Sequence, residues 1–599
     1  MGREKYTWDL GLLYKSDDDP QIEIDCEGTL REWNSFIKKW KKDKKYLEDP
    51  KALYIALKEF EHLYTVYGLA DKPMYYFWLK QALKQDDPKI KAKLSKIEDF
   101  ATKLGNDIQF FTNSIARIPT DSQKKFLKDK NLAVYNHFLE RTFISGKYLL
   151  SDDEEKILNL MVKPAYANWT KMTEEFLSKE EREMITEKGK RQIEPFNQIV
   201  GSTNSTNKKI RDLAGKYLHE INAQFADVAT EEINSILEYK KVLDDLRKIE
   251  RPDVSRHISD DIDSEVVDSL IKSVSSRFDI SQRYYKLKAK LLKLKKLKYH
   301  ERNVPIGELK TEFKFDESKK LVLRTFEKLD SELFHLAKLF FDRRLVDVNP
   351  KKGKIGGAFC IGYKTTLPTY ILLNHNDKIS DVTTIAHEFG HGINNELMKK
   401  SLSEINYGAP TSTAEVASTF FEDFIINEIS LTLSDKERLI LKLEKLNGDI
   451  SSIFRQVALY KFEQELHKQY REKGYLSKIE IGNLFSKHMF AYMGSSVSKD
   501  KGSENWWVYW SHIRNFFYVY SYASGLLISK SLQNFVKRDP TFIQSVKSFL
   551  SEGQRRSPKD IFKTMGIDIT DKAFWNKGLD QIEALLNEVE SLAKKLGKI

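Results

Sequence analysis

Cysteine is nearly absent: Cys26 and Cys360 are the only two in 599 residues. Two thiols without CxxC spacing exclude a disulfide framework and a thiolate zinc site, and they fit a reducing compartment. Long hydrophobic runs are missing too. The longest, residues 516–528, falls short of the roughly 20 apolar residues that a membrane-spanning helix needs, and it carries several tyrosines. The opening Met-Gly-Arg-Glu-Lys-Tyr is charged and lacks an apolar core, so no export peptide is expected. Tyr6 stands where a myristoylation pattern requires Ser or Thr. A cytoplasmic protein with no membrane partner is the expectation. Prolines number only 14, so long helices can run unbroken.

Neither sign of charge is scarce. The 99 basic and 88 acidic side chains leave a net +11, a mild surplus on a heavily charged surface rather than a basic tail. Apolar residues at 41% and charged residues at 31% describe globular material. The one lysine-rich candidate for nucleic acid or a membrane surface is residues 286–298. With Leu287, Leu291 and Leu294 on one face, it reads as a core-packed helix with a lysine-lined solvent side. No nucleic-acid partner is expected, and no feature specifies an oligomeric state.

Amphipathic helix dominates what is present. Leu53, Leu57, Phe60, Tyr64 and Tyr67 recur at helical spacing, with Lys58, Glu59 and Glu61 between them. Ser151 with Glu154, and Ser434 with Glu437, read as capping boxes, and Gly448 reads as the stop of the second helix. One region departs from this pattern. Residues 356–374 read as two short strands joined by a turn, a small antiparallel sheet directly ahead of the next helix, with an edge that an extended peptide can join. The polar run 201–208 either separates an N-terminal helical domain, 1–200, from a catalytic domain, 201–599, or is a tight interhelical loop. No repeat at solenoid period is found.

The chemistry concentrates in His387-Glu388-Phe389-Gly390-His391. Four residues apart on a helix, His387 and His391 share a face and can hold one zinc, while Glu388 stands to polarise a water on it. Ser380 and Asp381 can cap this helix, Ile385, Phe389 and Ile393 give it an apolar stripe, and Gly390 admits a neighbouring backbone. Chance produces such a motif in about one or two per cent of chains of this length and composition, so a third ligand carries weight. Glu415, in a further helix-like run, supplies it; two histidines and a glutamate leave the fourth position open, as catalytic zinc requires. Glu422, seven residues on, either orients a ligating histidine or is a surface glutamate.

Four segments in this order, 356–360 (Gly-Gly-Ala-Phe-Cys), 370–374 (Tyr-Ile-Leu-Leu-Asn), 385–391 (Ile-Ala-His-Glu-Phe-Gly-His) and 414–422 (Ala-Glu-Val-Ala-Ser-Thr-Phe-Phe-Glu), resemble the oligoendopeptidase F group of the M3, thimet oligopeptidase-like, zinc metallopeptidases. Looser matches extend across most of the chain, including residues 517–525. The resemblance implies a mostly α, two-lobed channel fold with the small antiparallel sheet beside the metal-binding helix. It implies one Zn2+ per chain on His387, His391 and Glu415, and Glu388 as general base. It further implies His512 and Tyr522 as oxyanion donors; the alternative is that Tyr518, Tyr520 and Tyr522 are aromatic core packing and His512 an ordinary histidine. The activity implied is a metalloendopeptidase that hydrolyses short unfolded oligopeptides through a metal-activated water; a zinc carboxypeptidase or dipeptidyl carboxypeptidase is the alternative. Two positions depart from the family pattern: Asn394 replaces a common histidine, and Ile513-Arg514-Asn515 replaces Phe-Tyr-Tyr, which makes Arg514 a candidate substitute donor.

Overall fold

The structure is a computed structural model that describes residues 6–410 and 412–599. The reading of the first residues as free of an export signal or lipid site therefore rests mainly on positions outside the described ones. Helices make up most of the chain, and no helix among the described residues is long and apolar enough to cross a membrane. The chain divides into two compact units, each built from three separated stretches. The first comprises residues 1–147, 311–429 and 535–567; the second comprises 148–310, 430–534 and 568–599.

The N-terminal stretch of the first unit packs around aromatic rings. Trp33, Phe36, Tyr46 and Phe111 are buried, and Leu53, Leu57 and Phe60 turn the expected face of helix Pro50–Val66 onto them. Glu61, read as a residue between the apolar positions, is itself buried and accepts a hydrogen bond from Tyr135 at 2.6 Å. Burying a carboxylate is tolerable only with such a partner.

Five short strands are present among the described residues. In the second unit β1 (Glu181–Ile185) and β2 (Arg191–Pro195) form an antiparallel hairpin. In the first unit β3 (Val346–Asp347), β4 (Phe359–Ile361) and β5 (Tyr370–Leu372) form a sheet of order β3-β5-β4. The expected pair, β4 with β5, is antiparallel, with Cys360 opposite Ile371. β3 adds a parallel partner to β5, so the sheet as a whole is mixed. Two residues are too few to leave a periodic trace in sequence.

Both capping boxes form, at Ser151 with Glu154 and at Ser434 with Glu437. Gly448 does not stop its helix. Asp435–Asp449 runs on through a π-helical segment, Ile450–Arg455, into helix Gln456–Lys473, which ends at Gly474 with φ 77°. A mid-helix glycine costs only about 1 kcal/mol, and burial of Leu446, Ile450, Ile453 and Phe454 around it outweighs that. The lysine-rich segment also differs from expectation. Its helix, Phe278–Leu291, ends before Leu294, and Lys288 points inward, donating to the Arg302 carbonyl at 2.7 Å and to Asn447 at 3.0 Å.

Candidate metal centre

The helix Ile379–Ser401 carries the motif. Of the two expected capping residues, Asp381 acts: it accepts from the amides of Asn376 (2.7 Å) and Lys378 (3.0 Å). Ile385, Phe389 and Ile393 are fully buried, with Phe389 against the rings of Phe340 and Phe341, which sets the rotation of the helix. His387 and His391 then share one face, with ring centroids 5.0 Å apart.

Gly390 shows how the third group arrives. A Cβ there would lie 2.7 Å from the Ser418 Cα and 2.8 Å from the Ala417 carbonyl oxygen. Only glycine lets the start of helix Val416–Ser430 approach so closely, and that approach delivers Glu415 to the histidines. Glu415 Oε2 lies 3.4 Å from His387 Nε2 and 3.6 Å from His391 Nε2. The ligand atoms of the three residues all lie within 4.8 Å of one another. Ser418 Oγ donates to the same carboxylate oxygen at 3.0 Å.

Behind the histidines stands Glu422, which pairs with His387 Nδ1 at 2.5 Å. The alternative reading of Glu422 as a plain surface glutamate is thereby set aside. This bond places the proton on Nδ1 and leaves Nε2, the nitrogen facing Glu415, free to ligate. Burial disfavours the charged form of His387, but the bond to Glu422 carries its pKa above the ordinary value. Glu415, held chiefly by the nearby His391 imidazole, sits low, at about 2. Glu388 is only 6% exposed; burial raises its carboxyl above the usual range, and the His387 and His391 imidazoles, with the backbone N–H of Cys360 on β4, partly offset this. Two neutral-capable imidazoles and a carboxylate, one histidine braced from behind, fit a zinc ion by donor type and number.

A second acidic and histidine cluster, Asp212 with His300 and Glu301, belongs to the other unit. Its carboxylates are already neutralised by Lys208 (2.8 and 3.3 Å) and Arg211 (2.9 Å). It reads as a buried ion-pair network.

The remaining expected residues lie in the second unit. The His512 Nδ1 and Tyr518 hydroxyl are hydrogen-bonded, and the Tyr522 ring lies 6.0 Å from His512 and 5.7 Å from Tyr518. Tyr518 thus joins the pair singled out by the sequence, which offered no local signal to rank it. Tyr520 instead is buried and donates to Asp260 at 2.8 Å, a core role. Arg514 does not stand in for a missing tyrosine. Its guanidinium is buried and spent on Glu232 (2.9 and 3.0 Å) and on the carbonyls of Trp507, Val508 and Trp510. Asn394, the other departure, is also structural: it donates to the Leu550 carbonyl and pins its helix to Ile543–Leu550.

Comparison with known proteins extends this picture. The model of peptidase family M3 matches residues 202–581, and the N-terminal model described as oligopeptidase F matches 115–180. The chain is 24% identical over 613 residues to group B oligopeptidase PepB of Streptococcus agalactiae, covering 99% of this chain and 98% of that protein. It is 24% identical over 516 residues to oligopeptidase PepF of Bacillus subtilis, covering 84% and 75%. The fold is shared with a solved structure from Chlamydophila abortus (TM-score 0.85, 20% identity, 98% of each chain). It is also shared with oligoendopeptidase-F from Enterococcus faecium (TM-score 0.71, 19% identity, 95% and 98%). The family model covers well over half of the sequence and encloses the His387 motif and Glu415, so the chain belongs to peptidase family M3.

Proposed function

We propose that this chain is a zinc-dependent endopeptidase of short, unfolded oligopeptides. The convergence of His387, His391 and Glu415 around one point, with Glu388 on the same helix, carries this reading. Those three side chains hold one Zn2+, and Glu422 fixes the orientation of His387. Zinc, when bound, supplies Lewis acidity that makes water a nucleophile near neutral pH and polarises the scissile carbonyl. Glu388 takes the proton of the attacking water on its carboxylate and returns it to the leaving amine. Its confinement against β4 holds it in place for both transfers. His512 and Tyr522 donate hydrogen bonds to the tetrahedral oxyanion, a role supported by the family resemblance and by their clustering with Tyr518. The half-buried strand β4 at the sheet edge offers backbone groups to an extended substrate. The two free cysteines fit a cytoplasmic setting.

Cleavage of a decapeptide blocked at both ends tests the reading. Internal cuts are expected, abolished by a chelator and restored by zinc, with about one zinc per chain in the purified protein. A requirement for a free C-terminal carboxylate would replace this reading with a carboxypeptidase or dipeptidyl carboxypeptidase.

Replacing Glu422 with Ala should weaken zinc binding by about 10- to 100-fold, because His387 loses the partner of its outer nitrogen. Competition against a chromophoric chelator measures this, and an unchanged affinity would leave Glu422 without the orienting role.

A further inference from the structure

The segment that bears His512 and Tyr518 is held in a conformation it does not adopt unaided. Phe516 and Phe517 have φ of 37° and 60°, the left-handed region that bulky residues enter only under external constraint. Side chains from elsewhere in the second unit supply that constraint. Arg256, on helix Val254–Ser259, donates to the carbonyls of Asn515 (3.0 Å) and Phe516 (3.3 Å). Glu463, on helix Gln456–Lys473, accepts the Phe517 amide at 2.6 Å. The rings of Phe516 and Phe517 rest on His467, and Phe517 also on Tyr460. Tyr166, from the π-helical segment Lys163–Ala167, donates to the Arg514 carbonyl.

Glu463 is an expensive way to fill a core. It is fully buried, and its second carboxyl oxygen has no hydrogen-bond partner. Burial pushes its carboxyl up to about 8, so it holds a proton at neutral pH. An apolar side chain of similar size would pack there at lower cost, but it would leave the Phe517 amide unanswered.

We propose that Arg256 and Glu463 are positioning residues: Arg256 through two carbonyls and Glu463 through one amide, they fix the 515–517 turn and so aim Tyr518 at His512. The proposal rests on the oxyanion role assigned above to His512 and Tyr522.

A kinetic series on the full chain with a quenched peptide tests it. Arg256→Ala and Glu463→Leu should each lower kcat by about 10- to 100-fold, the scale of a displaced catalytic group. A change confined to transition-state contacts should leave KM within about two-fold, with zinc content unaltered. Glu463→Gln keeps an acceptor for the Phe517 amide and should recover most of what Glu463→Leu loses. Arg256→Lys should recover only part, since an ammonium lacks the fork that reaches both carbonyls. Added to His512→Ala, the Arg256→Ala change should cost little more, because the histidine at which Tyr518 is aimed is already gone. Losses that multiply in this double variant, or full kcat in both single variants, would overturn the proposal. If Glu463→Leu does not fold, the Arg256 variants and the double variant decide alone. If His512→Ala and Tyr522→Phe themselves keep full kcat, the oxyanion reading falls and takes the clamp with it. If they lose activity while Arg256→Ala does not, only the clamp falls.

Discussion

Glu388→Gln is expected to retain a full complement of zinc and to lose peptide hydrolysis by about 1,000-fold or more in kcat, the range in which a positioned general base operates. The substitution is close to isosteric in a site where Glu388 is 6% exposed, so packing around it should survive. An amide oxygen still accepts the Cys360 N–H, which keeps the side chain oriented toward β4. What disappears is the capacity to take up a proton. Metal analysis alongside kcat separates the two properties. An active Glu388→Gln protein would remove Glu388 from the mechanism, and a metal-free one would make it a ligand.

His391→Ala should fail in a different way. Losing one of three protein ligands leaves His387 and Glu415, a pair that does not retain zinc through dialysis, and activity should drop below detection. The readout that isolates the ligand is thermal. A ion that binds only the folded chain raises Tm, so added zinc should stabilise the parent protein and leave the His391→Ala variant unmoved. The His391 side chain is 22% exposed, so its truncation opens little cavity and the apo protein should remain folded. A zinc-dependent Tm shift of parental size in the variant would exclude His391 from the site.

How much of this was legible in the sequence depends on how far apart the interacting residues lie. The motif helix was readable because its signals are local: a four-residue histidine spacing, an apolar stripe and a capping aspartate. Gly390 announced a close neighbour without naming it; the neighbour proved to be Ala417 and Ser418. Strands β4 and β5 showed as a pair, while the two-residue β3 left no pattern. Arg514 marks the limit most clearly. Its place beside His512 suggested a donor, yet its partner Glu232 stands 282 positions away, and a buried arginine follows its carboxylate. Lys288 belongs to the same class, because Asn447, to which it donates, comes from a distant helix. Gly448 failed as a stop signal since a local preference of about 1 kcal/mol yields to packing that only the folded unit supplies.

The interleaving of the two compact units bears on synthesis. A chain that leaves the ribosome at about 5–20 residues per second presents its aromatic N-terminal stretch well before the later stretches that share its unit. The first unit is incomplete until residues 535–567 emerge, and the second until 568–599 follow. Neither unit can therefore finish folding until at least residue 567 has been made, and the first closes only one stretch ahead of the second. A nascent chain arrested at residue 534 would lack the closing stretch of both.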